Sequence, residues 1–471
     1  MLEVQSVGKS GPGFWTSIKE SLLGSHQDYT QGSIERAILL LSVPMVLEMC
    51  MESLFGVVDF FWVAHLGADA MATVGLTESA LTIVYALAMG LSISVTAMVA
   101  RRVGEKDEAG AATAAVQGIA VGVLVLIATG TLGFLFGGHW LAAMGAAHSV
   151  VASGSAYTRI ILAGTVTVFQ LFLINAVFRG AGDAATAMRT LWIANAVNLC
   201  LNPCLIFGLG PFPKLGLAGS AVGTTIGRGV GVVFQVWILW SGRGRIRVNK
   251  GNLRLDWKVM LRLIRLSLGA IVQLMVQMAG WIGVVRIVSA FGSAAVAANT
   301  LAIRIIIFAI LPSWGMSNAA ATLVGQNLGA GRPGRAEKSV WKTGLYNMLF
   351  LGTVGLVFIA FAERIIGLFT KDPAVAPIAV TCLTYLSYGY VSYAYGMVVS
   401  SAFNGAGDTL TPTVLNLICF WAVQLPLAYF LAFTAGFGLR GVFASVVAAD
   451  SLLALLAIVW FRRGKWKQQV V

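Results

Sequence analysis

Charge is scarce in this chain: only 11% of its 471 residues are charged, 58% are hydrophobic, and the mean hydropathy is +0.84. A soluble domain has too little polar surface to cover that much apolar material. Histidine is rarer still, with four residues. No His-Glu-x-x-His occurs among them and no Gly-x-Ser-x-Gly lies in a helix, so the sequence offers little to a membrane enzyme. "VGKS" at residues 7–10 lacks the earlier glycine that a phosphate loop places five residues before Gly8, which leaves ATP-driven pumping without a visible engine. The five cysteines all fall inside predicted helices, where disulfides are disfavoured and packing is the expected role. Cys200 and Cys204 share a helix face but have no His or Cys neighbours to complete a metal site. No cofactor is expected.

What the chain has in abundance is helix-length apolar sequence. Twelve such segments are predicted, at 36–65, 70–101, 109–136, 150–178, 186–209, 216–241, 259–291, 294–326, 336–362, 375–403, 410–434 and 438–461. Their length predicts an all-α polytopic bundle in a lipid bilayer and excludes a β-barrel, whose strands alternate over about ten residues. Residues 1–33 are mixed and polar, lack the apolar core of a signal peptide, and read as a cytoplasmic segment in which "FWTSIKESLLG" lies along the membrane surface. The net charge of +13 does not point to nucleic acid, because the lysines and arginines crowd onto one side of the twelve-helix arrangement. That asymmetry predicts a cell (inner) membrane protein with both termini cytoplasmic.

An internal repeat is visible at a constant spacing of 225 residues. "HLGADAMATVGL" (65–76) aligns with "AFGSAAVAANTL" (290–301), and "FRGAGDAAT" (178–186) with "FNGAGDTLT" (403–411). "VARRVGEKDEAG" (99–110) falls on "VGQNLGAGRPGR" (324–335). Six helices per copy give both copies the same membrane orientation, related by an axis along the membrane normal. The predicted units are therefore a first lobe at 34–241, a basic cytoplasmic linker at 242–258, a second lobe at 259–463 and a basic tail at 464–471. Two bundles rocking about a central cleft favour alternating access over a pore.

The first span carries Glu48, Glu52 and Asp59, spaced by four and seven residues, so all three fall within about 40° on one helix face. Facing lipid, three carboxylates would cost on the order of 8 to 10 kcal/mol. The stripe must face protein or water, either as buried ion pairs or as a cation-handling site. The aligned positions in the second copy are Gln273, Gln277 and Val284, which makes the first half the cation-handling one. Other polar residues at membrane depth are Glu78, Asn175, Asn198, Asn202, Arg228, Arg286, Arg304 and Asp450. Any one asparagine can serve as helix-to-helix glue or as an oxygen ligand. Arg286 and Arg304 align close to Asp59 and Glu78, so Asp59 with Arg286 and Glu78 with Arg304 form a candidate gate that latches an inward-facing state. Tyr388 and Tyr395, on one face of the tenth span, are either packing residues or a cleft surface for flat lipophilic cations.

The "FRGAGD" and "FNGAGD" turns, Pro44, "VVDFFWVAHLG" and "NAVNLCLNP" together resemble the multidrug and toxic compound extrusion (MATE) family over essentially the whole chain. The resemblance implies two six-helix lobes around a V-shaped cleft, and export of organic cations or amphiphiles in exchange for H+ or Na+. In the bacterial and archaeal branch it implies a first-lobe coupling site, here Asp59, Asn175, Asn198, Asn202 and Ser220. Where that branch commonly has a second carboxylate this chain has Asn202, which weakens a Na+ site at Asp59 and Asn198; Glu48 and Glu52 are additional acids that could compensate. The expectation is thus a monomeric secondary antiporter whose cleft includes Gln273, Gln277, Tyr388 and Tyr395. A lipid-linked oligosaccharide flippase of the same superfamily architecture is the rival, disfavoured because such clefts tend to be basic.

Overall fold

The computed structural model describes residues 14–24 and 27–469. The first thirteen residues, part of the predicted polar segment, lie outside the described residues. Apolar sequence in a bilayer must satisfy its backbone internally, so long helices are the outcome. They are α1 (Phe14–Leu23), α2 (Ile34–Ala64), α3 (Ala68–Gly104), α4 (Glu108–Ala143), α5 (His148–Ala181), α6 (Ala184–Phe207) and α7 (Leu217–Ser241). After a 3-10 turn at Lys250–Leu253 come α8 (Trp257–Ser289), α9 (Ser293–Gly329), α10 (Pro333–Gly367), α11 (Ala376–Tyr388) and α12 (Tyr390–Ala406). Last are α13 (Leu410–Thr434) and α14 (Gly438–Arg462).

Eleven of these helices are long and apolar enough to cross a membrane. The tenth predicted span is instead two helices, α11 and α12, stacked end to end across Gly389. The eleventh, α13, contains two π-helical stretches at Leu417–Gln424 and Phe430–Thr434. The spans form an all-α bundle of two lobes, α2–α7 and α8–α14. Equivalent helices α4 and α10 are the most peripheral, each with 22% of its apolar window buried.

The repeat is visible in the packing as well as in the sequence. Each "GAGD" motif is a helix-to-helix turn: Gly182 (φ 84°) and Gly407 (φ 87°) close α5 and α12 in the left-handed region that glycine tolerates. The next residue caps the following helix. Asp183 accepts from Thr186 N at 3.2 Å and Oγ1 at 2.9 Å, and Asp408 from Thr411 N at 3.1 Å and Oγ1 at 2.6 Å.

The lobes meet through equally matched contacts. A Cβ on Gly104 would stand 2.0 Å from the Gln326 carbonyl oxygen, and one on Gly329 would stand 2.1 Å from that of Arg101. Residues 101 and 326 are themselves 225 apart, so each half gives the other the same contact, as a two-fold axis requires. Gly90 against Ile271 and Gly315 against Val46 repeat the pattern.

These contacts lie toward the face that carries both termini. There Thr322 donates to the Arg179 carbonyl at 3.1 Å and Gln326 to that of Gly180 at 2.9 Å. Arg332 and Arg335 bind the carbonyls of Thr30 and Gly32 at 2.7 and 2.8 Å, and Lys342 pairs with Glu35. Toward the opposite face no hydrogen bond joins the lobes among the described residues, and the cleft opens there. Helix α1 docks on the same terminal face, with Glu20 pairing Arg36 at 2.7 Å and Arg189 reaching the Leu22 carbonyl at 2.8 Å. The basic tail is packed as well: Trp466 is buried and stacks on Phe461, and Lys467 pairs with Glu337 at 2.6 Å.

Candidate functional site

The three carboxylates of α2 share a face, but they enter three different environments. Glu48 is 1% exposed and pairs with Arg179 of α5 at 2.6 Å. Asn175 donates to the same carboxylate oxygen at 3.0 Å, and Gln235 of α7 donates to Asn175 at 2.5 Å. Glu52 pairs with Arg228 of α7 at 3.0 Å, and that guanidinium lies 4.5 Å over the Phe55 ring. The ion-pair reading of the stripe therefore describes two of its three acids, whose charges are neutralised within the first lobe.

Asp59 differs, because its hydrogen-bond partners are neutral and Arg228 acts on it only from across the cavity. Asn202 of α6 donates to Oδ1 at 2.5 Å and Thr224 of α7 donates to Oδ2 at 3.0 Å. Asn198, one turn before Asn202, donates to the Thr224 hydroxyl at 3.2 Å. One carboxylate thus ties α2 to α6 and α7. It borders a cavity of about 310 Å³ within the first lobe, lined also by Glu78, Tyr157, Ser220 and Arg228.

The sequence-derived set divides accordingly. Asp59, Asn198 and Asn202 are brought together. Asn175 is not among them; it stands nearer the terminal end of the bundle, bonded to Glu48. The hydroxyl on Asp59 belongs to Thr224 rather than Ser220, which lies one turn earlier on α7 and lines the same cavity. Among the described residues Arg286 and Arg304 form no ion pair, so the candidate gate pairs are not made. Glu78 is exposed, within electrostatic reach of Arg304.

Between the lobes lies a larger cavity of about 540 Å³. It adjoins the first through Glu52, Thr82 and Tyr85, which line both. Gln273 and Gln277 line it as expected, but Tyr388 and Tyr395 do not. The break at Gly389 lets Tyr388 point outward at 61% exposure, while Tyr395 packs toward α10 with its hydroxyl on the Trp341 carbonyl at 3.2 Å. The tyrosine that reaches the cleft is Tyr393, beside Trp314, Met278 and Met397.

Sequence reasoning missed Arg179 and Thr224. Arg179 counted among the cytoplasmic-side positive charges, yet it is buried and lines the cleft floor. The available signal was the repeat itself, since Arg179 is the charged residue that separates "FRGAGD" from "FNGAGD".

Comparison with known proteins gives concordant results. The family model MatE matches residues 44–204 and again residues 269–430, two segments that begin 225 residues apart. A probable multidrug resistance protein NorM of Thermotoga maritima is 25% identical over 441 residues, covering 93% of this chain and 94% of that protein. The FAD transporter of Shewanella oneidensis is 23% identical over 398 residues, covering 84% and 87%. The crystal structure of MATE in complex with MaL6 superimposes with a TM-score of 0.86 at 25% identity, covering 94% of this chain and 99% of that one.

Proposed function

Because the chain belongs to the MatE (multidrug and toxic compound extrusion) family, and so is a transporter rather than an enzyme, we propose that it exports organic cations or amphiphilic drugs and metabolites in exchange for H+, by alternating access of its two lobes. The observation that carries this reading is Asp59, a carboxylate at membrane depth held by neutral donors from two other helices at the edge of a cavity. Intramembrane acids are costly, and such a residue is best explained by a cation or proton it binds and releases. Relatives named for multidrug resistance and the similarity to MATE structures support the efflux direction.

Protonation of Asp59 weakens its hold on Asn202 and Thr224. That frees the distal half of α2 from α6 and α7 and changes the relative stability of the open and closed arrangements. Substrate bound in the adjoining cleft then competes with the proton for those states. With Asn202 in place of a second acid, a Na+ ion would meet a single carboxylate here, so H+ is the better fit. Glu48 and Glu52, each neutralised by an arginine, serve as framework charges. By the positive-inside rule the termini are cytoplasmic, so the cleft opens away from the cytoplasm, and helical rather than β-barrel spans fit the cell's inner membrane. Two self-contained lobes suffice for a monomer.

The test is efflux of ethidium from proteoliposomes under a pH gradient alone and a Na+ gradient alone, with wild type and Asp59→Asn. Efflux driven by the pH gradient and lost in the variant is expected. Efflux indifferent to both gradients and to the substitution would remove the antiport reading and favour the flippase.

A further inference from the structure

The loop-to-helix turns "GLAG" (216–219) and "GLRG" (438–441) begin α7 and α14, and their first glycines share a φ of 57°. Both helices can therefore be read in register from these turns. Arg228 stands twelve residues after Gly216, and Asp450 stands twelve residues after Gly438. Read from these turns, which are 222 residues apart rather than 225, the lobes place a basic and an acidic residue at one station.

Their partners differ too. Glu52, which neutralises Arg228, aligns at the 225-residue spacing with Gln277, which cannot neutralise Asp450. Among the described residues Asp450 makes no hydrogen bond and no ion pair, and no lysine or arginine acts on it. It is partly exposed and lines the 540 Å³ central cavity. The other charged residues on that lining, Glu52 and Arg179, are paired with Arg228 and Glu48. Among the charged residue types on that lining, Asp450 is therefore the one without a partner, and it is an acid.

A carboxylate without a counterion at membrane depth is held at a cost that a bound cation would remove. The cavity is large enough for a drug-sized molecule. Trp314 and Tyr393 offer aromatic surface beside the acid, and Met278 and Met397 offer polarizable contacts. Resting on the export reading above, we infer that Asp450 is the counterion for the positive charge of the transported molecule, with Trp314 and Tyr393 receiving its aromatic body. The second lobe then selects the cargo while the first handles the coupling ion. The preferred ligand is a lipophilic organic monocation.

Equilibrium dialysis of purified protein in detergent, without any gradient, isolates binding from coupling. The probes are tetraphenylphosphonium and the neutral, similarly shaped triphenylphosphine oxide, with wild type, Asp450→Asn and Asp450→Glu. The expected result is about a tenfold weaker affinity of Asp450→Asn for the cation, the scale of one charge contact. The neutral probe should shift by less than about twofold, and Asp450→Glu should restore cation binding. Equal losses for both probes, or no loss for the cation, would overturn the inference. If binding ignores Asp450 while a pH gradient still drives ethidium efflux through Asp59, the counterion role falls and the antiport reading stands. The converse pattern retains Asp450 and removes the coupling; a wild type that does not bind the cation removes both.

Discussion

Glu48→Gln and Arg179→Asn, separately and together, convert the buried pair of the first lobe into the residue types that stand at the equivalent positions of the second lobe. The aligned residues there are Gln273 and Asn404, and both line the cleft. The side chains of Glu48 and Arg179 are 1% and 8% exposed and 2.6 Å apart. Removing either partner leaves a buried charge without its mate, a loss of about 3 to 5 kcal/mol. Removing both leaves two amides among the donors and acceptors of Asn175 and Gln235, and the loss should fall well short of the sum. A double-mutant cycle is expected to return a coupling of about 2 to 4 kcal/mol. The assay is unfolding of purified protein in a titrated denaturing detergent, followed by tryptophan fluorescence. The double variant should also keep gradient-driven efflux, because Asp59 is untouched. Additivity within about 0.5 kcal/mol would refute the pairing, and efflux lost in a well-folded double variant would refute the assignment of Glu48 to the framework.

Three further outcomes follow from the geometry. Thr224→Ala removes a hydrogen bond to an ionised group, a loss of about 1.5 to 3 kcal/mol, and should lower gradient-driven efflux by about tenfold or more, whereas Ser220→Ala should leave it near wild type; initial efflux rates decide between them. Gly315→Leu pushes a side chain into the backbone at Met45 and Val46, where even a Cβ would stand 2.7 Å away. It should block lobe closure on the terminal face and abolish efflux without preventing membrane insertion, measured by transport and by protease access to that face. Asn202→Asp places a second carboxylate beside Asp59 and should make efflux Na+-stimulated, read by adding NaCl in the absence of a pH gradient.

The architecture was legible because its cause is one-dimensional. Apolar length defines a span, and a repeat at constant spacing defines two lobes; the structure keeps both. The broken tenth span was less legible, since one glycine among tyrosines and serines does not announce a helix break. Asp59, Asn198 and Asn202 stood out in the sequence because polar chemistry at membrane depth is rare enough to notice, and the fold places them side by side. Asn175 lies apart from them on Glu48, since position along a sequence does not reveal depth across a bundle and α5 carries Asn175 past Asp59 to the level of Glu48. Thr224 was hidden by Ser220: two hydroxyls four residues apart lie on one helix face, and only the packing of α7 against α6 selects between them. The partners of Glu48 and Glu52 were hidden for a similar reason, since both arginines lie more than a hundred residues away in the chain.

The measurement that tests the account most directly is proton release on substrate binding. Ethidium is added to purified protein in a weakly buffered solution containing a pH indicator, and wild type is compared with Asp59→Asn. If Asp59 exchanges its proton as substrate favours the other state, wild type should release up to about one proton per ethidium bound and the variant none. Equal release from both proteins, or binding to wild type without release, would contradict the exchange at Asp59 on which the account depends.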